Sequence, residues 1–323
     1  MANTTVVIIP TYNEVDNLPL IVDRVLSSTP EVDVLVVDDN SPDGTGAKAD
    51  ELAGAHPEVH VLHRGNKEGL LAAYREGFEW ALERDYEVIC QMDADGSHAP
   101  EELELLLGEI EAGADVVIGS RYVEGGQVDN WPRERYMLSK WGNRYISLAL
   151  GDDVEDMTAG YRAFRREVLE SIDLSALSTK GYIFQVDMIR KALEAEFDVR
   201  EVPITFVDRQ LGQSKLDSSF ASESLLEVTK WGAERQSAFL RELARETGKL
   251  LRHEVDQSGL WKTRRVVGDV TETGVNMVLE GAKLAGHELK RSGVSAIPRR
   301  AARAADTAVE FIREAVRVGT SGK

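Results

Sequence analysis

Short, almost wholly apolar runs alternate with longer amphipathic stretches over the first 120 residues of the chain. Five runs read as strands: Thr5-Val-Val-Ile-Ile-Pro10, Asp33-Val-Leu-Val-Val-Asp38, Val59-His-Val-Leu62, Tyr86-Glu-Val-Ile-Cys-Gln-Met92 and Asp115-Val-Val-Ile-Gly119. Their β-branched, non-alternating character predicts burial on both faces. Helical spacing covers Leu70 to Arg84 and Pro100 to Ala112, the second opening on Pro100, with Glu101 and Glu102 near the positive helix end. Strands alternating with helices predict an α/β fold built on a mostly parallel sheet. After Arg121 the pattern loosens into Gly-rich and aromatic loops. It then predicts helices at about Tyr136 to Leu150 and Phe184 to Ala195, and a strand from Val199 to Val207. From about Phe220 onward the chain reads helical, with Val309, Ile312 and Val316 on the apolar face of a last helix.

Composition narrows this picture. A chain of 323 residues with 42% apolar and 29% charged residues has room for one core and a small second unit. It holds no run of eighteen apolar residues, so no membrane-spanning helix is expected. Strand-like sequence begins at Thr4 and leaves no room for a signal peptide, which predicts a cytoplasmic protein. The single cysteine, Cys90, excludes an internal disulfide and sits in an apolar run, where it reads as core. The net charge of −18 argues against nucleic acid as the main partner. That charge is uneven. Residues 1–239 carry 22 Lys and Arg against 45 Asp and Glu, whereas residues 240–323 carry 16 against 11. The division predicts an acidic catalytic body, 1–239, and a basic helical C-terminal extension, 240–323.

In parallel α/β sheets, ligands bind beyond the carboxyl ends of the strands. Polar clusters follow four of the predicted strands: Pro10-Thr-Tyr-Asn-Glu14, Asp38-Asp-Asn-Ser-Pro-Asp-Gly-Thr45, Asp93-Ala-Asp95 and Gly119-Ser-Arg121. Asp93 and Asp95, two apart after an apolar strand, are placed to hold Mg²⁺ or Mn²⁺ between protein and phosphates. Such a cation neutralises charge on a departing diphosphate. Asp39 reads as an acceptor for a nucleoside, and Asp43 as a turn cap. No Gly-x-Gly-x-x-Gly follows the first strand, and Pro10 removes a backbone donor there, so a dinucleotide-binding dehydrogenase loses its support. Arg121, Arg135, Arg209 and Lys215 lie in or beside loops of an otherwise acidic body and suit anionic substrates.

These stretches, with Gly119-Ser-Arg-Tyr-Val-Glu-Gly-Gly126, Lys180-Gly-Tyr-Ile-Phe-Gln185, Glu201-Val-Pro-Ile-Thr-Phe206, Asp208-Arg209 and Gly212-Gln-Ser-Lys215, run in order over about residues 4–235. Together they resemble the polyprenyl (dolichyl) phosphate mannose synthases among the family 2 glycosyltransferases. The resemblance implies a GT-A fold, whose sheet is mixed but mostly parallel. It implies nucleotide-sugar contacts at Pro10, Tyr12, Glu14, Val37, Asp39, Asp93, Ala94, Lys180, Arg209 and Lys215. It implies metal ligands at Asp93 and Asp95, with Ser97 standing where some members use a Gln. GDP-mannose is the implied donor and a membrane polyprenyl phosphate the implied acceptor, held by Arg121 and Arg135, with inversion at the sugar. A phosphomonoester is largely ionised at neutral pH, its second pKa lying near about 6, so positioning matters more than a general base. UDP-glucose or another sugar nucleotide is the near alternative, and a non-catalytic nucleotide-sugar-binding scaffold a distant one. The resemblance does not reach residues 240–323, whose charge and helical pattern leave three readings open: attachment to anionic lipid at the cytoplasmic face, a membrane-protein partner, or a solvated or oligomerising helical appendage.

Overall fold

The structure is a computed structural model and describes residues 4–178, 183–208, 227–232 and 234. The expectations for Lys180, Arg209, Lys215 and the extension 240–323, including its last helix, lie outside these residues. The chain divides into two compact units, one of residues 1–147 and 154–226, the other of residues 148–153 and 227–323. Of the second unit, residues 227–232 are helical.

The first unit is built on a seven-stranded sheet. Its strands are β1 (Thr5–Thr11), β2 (Val32–Asp38), β3 (Val59–His63), β4 (Val88–Gln91), β5 (Val116–Ser120), β7 (Arg162–Arg165) and β8 (Val199–Pro203), in the spatial order β3-β2-β1-β4-β7-β5-β8. All pairs are parallel except those of β7, which runs antiparallel between β4 and β5. The sheet is therefore mixed and mostly parallel. A second, two-stranded sheet joins β6 (Gln127–Asp129) to β9 (Thr205–Val207).

Helices cover both faces, as apolar strands require. On one side, α1 (Leu18–Ser28), α2 (Thr45–Ala55) and α4 (Leu103–Glu111) bury Leu18, Ile21, Val25, Ala49, Leu106 and Ile110 against Val7, Ile9, Val34, Val36, Cys90 and Val117. On the other, α3 (Leu70–Leu82), α6 (Arg166–Ser171) and α7 (Ile183–Glu194) add an aromatic core. There Phe78 packs edge to face on Phe164 at 6.2 Å and lies 5.9 Å from Tyr74. Helix α5 (Arg133–Leu150) follows the small sheet. No helix among the described residues is long and apolar enough to cross a membrane.

Two elements depart from the sequence expectation. The single strand expected from Val199 to Val207 is two strands in different sheets, parted at Ile204. Ile204 is 2% exposed and turns into the core, and the Thr205 amide instead donates to the Glu102 carboxylate at 2.9 Å. The other is β7, whose Arg-Ala-Phe-Arg sequence carries no strand-like apolar run yet occupies the middle of the sheet. Arg162 is fully buried there because neutral oxygens solvate its guanidinium: Gln185 O at 2.7 Å, Gln185 Oε1 at 2.6 Å and Met157 O at 2.8 Å.

Candidate active site

Because β1, β2, β4 and β5 run in one direction, the polar loops that follow them emerge from the same edge of the sheet. The first two loops are laced together. The Asp39 amide donates to Thr11 O, Thr11 Oγ1 donates to Asp38 Oδ1 at 3.1 Å, and the amides of Val15 and Thr45 donate to the two oxygens of Asp43. Asp43 thus caps a turn, as its spacing suggested. The Glu14 amide donates to Thr45 Oγ1 at 2.9 Å, and the Glu14 carboxylate accepts from Asn17 Nδ2 at 2.8 Å. Pro10 lies in β1 opposite Val37 of β2. Val37 is fully buried, and its side chain belongs to the core.

Asp39 is 6% exposed and paired with Arg64, which also pairs with Glu76 at 3.0 Å and Glu68 at 3.4 Å. Burial raises the Asp39 pKa, and the Arg64 partner opposes the shift. Lys67 sits over the Tyr12 ring with Nζ 3.6 Å from its centroid. Arg64 and Lys67 thus join the candidate site through Asp39 and Tyr12, though neither carries a motif in the sequence. They follow β3, the neighbour of β2 in the sheet.

The loop after β4 carries the acidic pair. The Ser97 amide donates to Asp95 Oδ1 at 3.0 Å, and the Asp93 amide donates to His98 Nδ1 at 3.1 Å. Burial lowers the His98 pKa, against the pull of Asp93 and Asp95, so the ring is neutral and its other nitrogen holds the proton. Gly160 lies beside Asp93: a Cβ built on it would stand 3.8 and 3.9 Å from the two carboxylate oxygens. Ala94 is buried between the two aspartates, and Ser97 is 3% exposed. Among the described residues no third His, Cys, Asp or Glu joins them in a metal-holding group. Two carboxylates suit a hard cation that completes its shell with substrate phosphates and water, which is how Mg²⁺ is commonly bound.

Arg121, after β5, is 8% exposed and held by Asp156: Nε to Oδ2 and Nη2 to Oδ1, both at 2.7 Å, with the Arg121 amide on Oδ2 at 3.0 Å. Thr158 Oγ1 accepts from Nη2 at 2.9 Å. Burial disfavours both charges, yet each partner holds the other ionised: the Arg121 pKa rises and the Asp156 pKa falls. The Asp156 loop is fixed from behind by Glu201, whose carboxylate accepts from the amides of Glu155 at 2.7 Å and Asp156 at 2.9 Å. Asp93 lies close enough for its charge to help raise the Arg121 pKa. Asp156 had no sequence signal, for it ends an acidic run that reads as solvated surface.

Arg135, near the start of α5, pairs with Asp208 through Nη1 at 3.1 and 3.2 Å and lies over the Trp131 ring, 4.1 Å from its centroid. The Arg121 guanidinium lies 5.7 Å from the same ring. The structure therefore brings Asp93, Asp95, Arg121 and Arg135 to one region, at the end of the sheet that also carries Tyr12, Glu14 and Asp39.

Comparison with known proteins agrees with this arrangement. Residues 6–173 match the model of Glycosyl transferase family 2. The polyprenol monophosphomannose synthase of Mycolicibacterium smegmatis is 60% identical over 71% of this chain and 86% of its own length. The undecaprenyl-phosphate mannosyltransferase of Micrococcus luteus is 53% identical over 70% and 92%. The dolichol-phosphate mannosyltransferase of Pyrococcus furiosus is 38% identical over 71% and 64%. Glucosyl-3-phosphoglycerate synthase of Mycobacterium tuberculosis, solved with Mn²⁺, UDP and phosphoglyceric acid, shares the fold at a TM-score of 0.52. It is 18% identical over 70% of this chain and 78% of that one. The mixed sheet, the acidic pair beyond β4, the family match over residues 6–173 and 60% identity over 229 residues lead to one assignment: the chain is a GT-A enzyme belonging to glycosyltransferase family 2.

Proposed function

We propose that the protein transfers mannose from GDP-mannose to a polyprenyl phosphate with inversion, giving a β-linked mannosyl phosphate lipid and GDP. The observation that carries the reading is the convergence of an acidic pair, Asp93 and Asp95, with two arginines, Arg121 and Arg135, at one end of the sheet. The names of the three curated relatives support mannose and a polyprenyl phosphate.

In this reading Asp93 and Asp95 would hold Mg²⁺ or Mn²⁺. When bound, the cation neutralises charge on the departing nucleotide. Tyr12, Glu14 and Asp39 receive the nucleoside, with Arg64 fixing Asp39 and Lys67 lying over Tyr12. The acceptor arrives largely ionised, so it needs orientation and no base strong enough to strip a hydroxyl. Arg121 supplies that orientation from a rigid mount. Asp156 and Thr158 occupy Nε and Nη2 and leave Nη1 for the phosphate. Arg135 shares the load from a partly exposed position, its side chain 35% accessible. In the same reading Lys180, Arg209 and Lys215 contact the nucleotide sugar. The protein works at the cytoplasmic face of the membrane, where the basic residues of 240–323 meet anionic lipid or a membrane-protein partner.

The test incubates the protein with Mg²⁺, each labelled sugar nucleotide and a short polyprenyl phosphate. Lipid-linked label is expected from GDP-mannose. Label from UDP-glucose alone would reject mannose. Asp95→Asn is expected to lower turnover by at least about 100-fold, the scale of losing electrostatic stabilisation of a leaving group. An Asp95→Asn variant with full turnover would leave only a binding role for the pair.

A further inference from the structure

Aromatic side chains form a continuous column through the site. Tyr161 stacks on His98 at 5.0 Å and 16°, His98 meets Phe206 at 5.7 Å and 71°, and Phe206 meets Trp131 at 5.4 Å and 71°. At one end His98 accepts the Asp93 amide; at the other, Trp131 underlies the Arg135 guanidinium at 4.1 Å. Arg121 flanks the outer half, 5.4 Å from Phe206 and 5.7 Å from Trp131. The column thus links the acidic pair to both arginines through rigid rings, each with few torsions to relax.

The Trp131 indole N–H is buried and has no acceptor among the described residues. An unmet buried donor costs stability, and a Phe at this position would avoid the cost. What the indole adds over Phe is a larger and more electron-rich face, the strongest cation–π platform among side chains. A guanidinium stacked on such a face keeps its in-plane N–H groups directed outward at its edge, where a planar fork meets phosphate oxygens. Asp208 takes only Nη1 of Arg135.

We infer that Trp131 is a positioning residue for the acceptor: its ring sets the plane of Arg135 and its spacing from Asp93, so that the phosphate is presented to the sugar. The inference rests on the acceptor assignment above and adds a residue to it.

The test uses the full chain and reads initial rates against a short polyprenyl phosphate, at saturating concentration of whichever sugar nucleotide the wild type accepts. Affinity for that sugar nucleotide is read separately by calorimetry. Trp131→Leu is expected to raise the acceptor KM about tenfold, within the range of a partly desolvated cation–π contact, with kcat changed less than about threefold and donor affinity unchanged. Trp131→Phe, which keeps a smaller and less electron-rich ring, is expected to recover only part of the loss. Trp131→Leu combined with Arg135→Ala is expected to be scarcely worse than Arg135→Ala alone, because the indole acts through that guanidinium. If Trp131→Leu fails to fold, Phe206→Leu, which removes the next ring, carries the same expectation. An unchanged acceptor KM, an equal loss of donor affinity, or independent effects of Trp131 and Arg135 would overturn the inference. A wild type that glycosylates no polyprenyl phosphate would sink the acceptor reading as well, whereas a silent Trp131→Leu sinks the inference alone.

Discussion

Asp156 illustrates what one side chain can be asked to do in this fold. It is fully buried, accepts three hydrogen bonds from Arg121, and fixes the guanidinium assigned to the acceptor phosphate. Removing one member of a buried pair leaves the other charge unsolvated, at a cost of about 3–5 kcal/mol. Asp156→Asn is therefore expected to destabilise the protein by about that amount, measured by denaturant unfolding at neutral pH. The pair also predicts a pH dependence. The folded Asp156 pKa lies below its ordinary 3.8, so its contribution is complete above that value. As pH falls through 3.8, the unfolded chain takes up the proton first, and stability is lost until the folded carboxylate is protonated too. Wild type should lose stability more steeply than Asp156→Asn over this acid range.

At the scale of elements, the site depends on close backbone approach between the segments after β5. Gly126 shows this most directly: a Cβ there would stand 2.7 Å from Ser120 O, 2.8 Å from Arg121 C and 2.9 Å from Arg121 O. All three atoms are backbone, so a methyl group cannot be accommodated by turning a side chain. Gly126→Ala should push β6 away from the segment that carries Arg121, destabilising the protein by about 1–3 kcal/mol, as overpacking does. It should also raise the acceptor KM. Thermal unfolding and acceptor kinetics on one preparation check both outcomes, and a variant with wild-type melting and kinetics would show that the segments are free to separate.

For the whole molecule, the charge asymmetry makes its own prediction. On the proposed membrane role, the acidic 1–239 portion would be repelled by an anionic bilayer, and attachment is expected from the basic residues beyond it. Arg299, Arg300 and Arg303 are three of these. Replacing all three with Ala should weaken binding to vesicles containing phosphatidylglycerol by up to about 100-fold, at about 1 kcal/mol per basic residue near the surface. Cosedimentation measures it. Binding by the wild type should fall as salt rises, and binding that ignores both salt and the substitution would assign attachment to another part of the chain or to a protein partner.

The local pattern of residues determined the parallel strands and most of the flanking helices. It also determined that polar loops would gather beyond one edge, because apolar periodicity and strand direction are short-range properties. Thus Thr5–Thr11, Val32–Asp38 and Val116–Ser120 lie within a residue or two of their expected bounds. The acidic pair and Arg121 were legible as chemistry placed at strand ends, and Arg135 as a cation beside a loop of an acidic body. Only the tertiary structure decided how those groups are held. The Asp156 carboxylate reaches Arg121 across 35 residues, Arg162 is buried among carbonyls in a strand with no apolar run, and Trp131 meets Phe206 from 75 positions away. Such contacts form because packing brings together side chains whose separation along the chain carries no trace of their nearness in space, and a charged residue looks the same in sequence whether water or a buried partner solvates it.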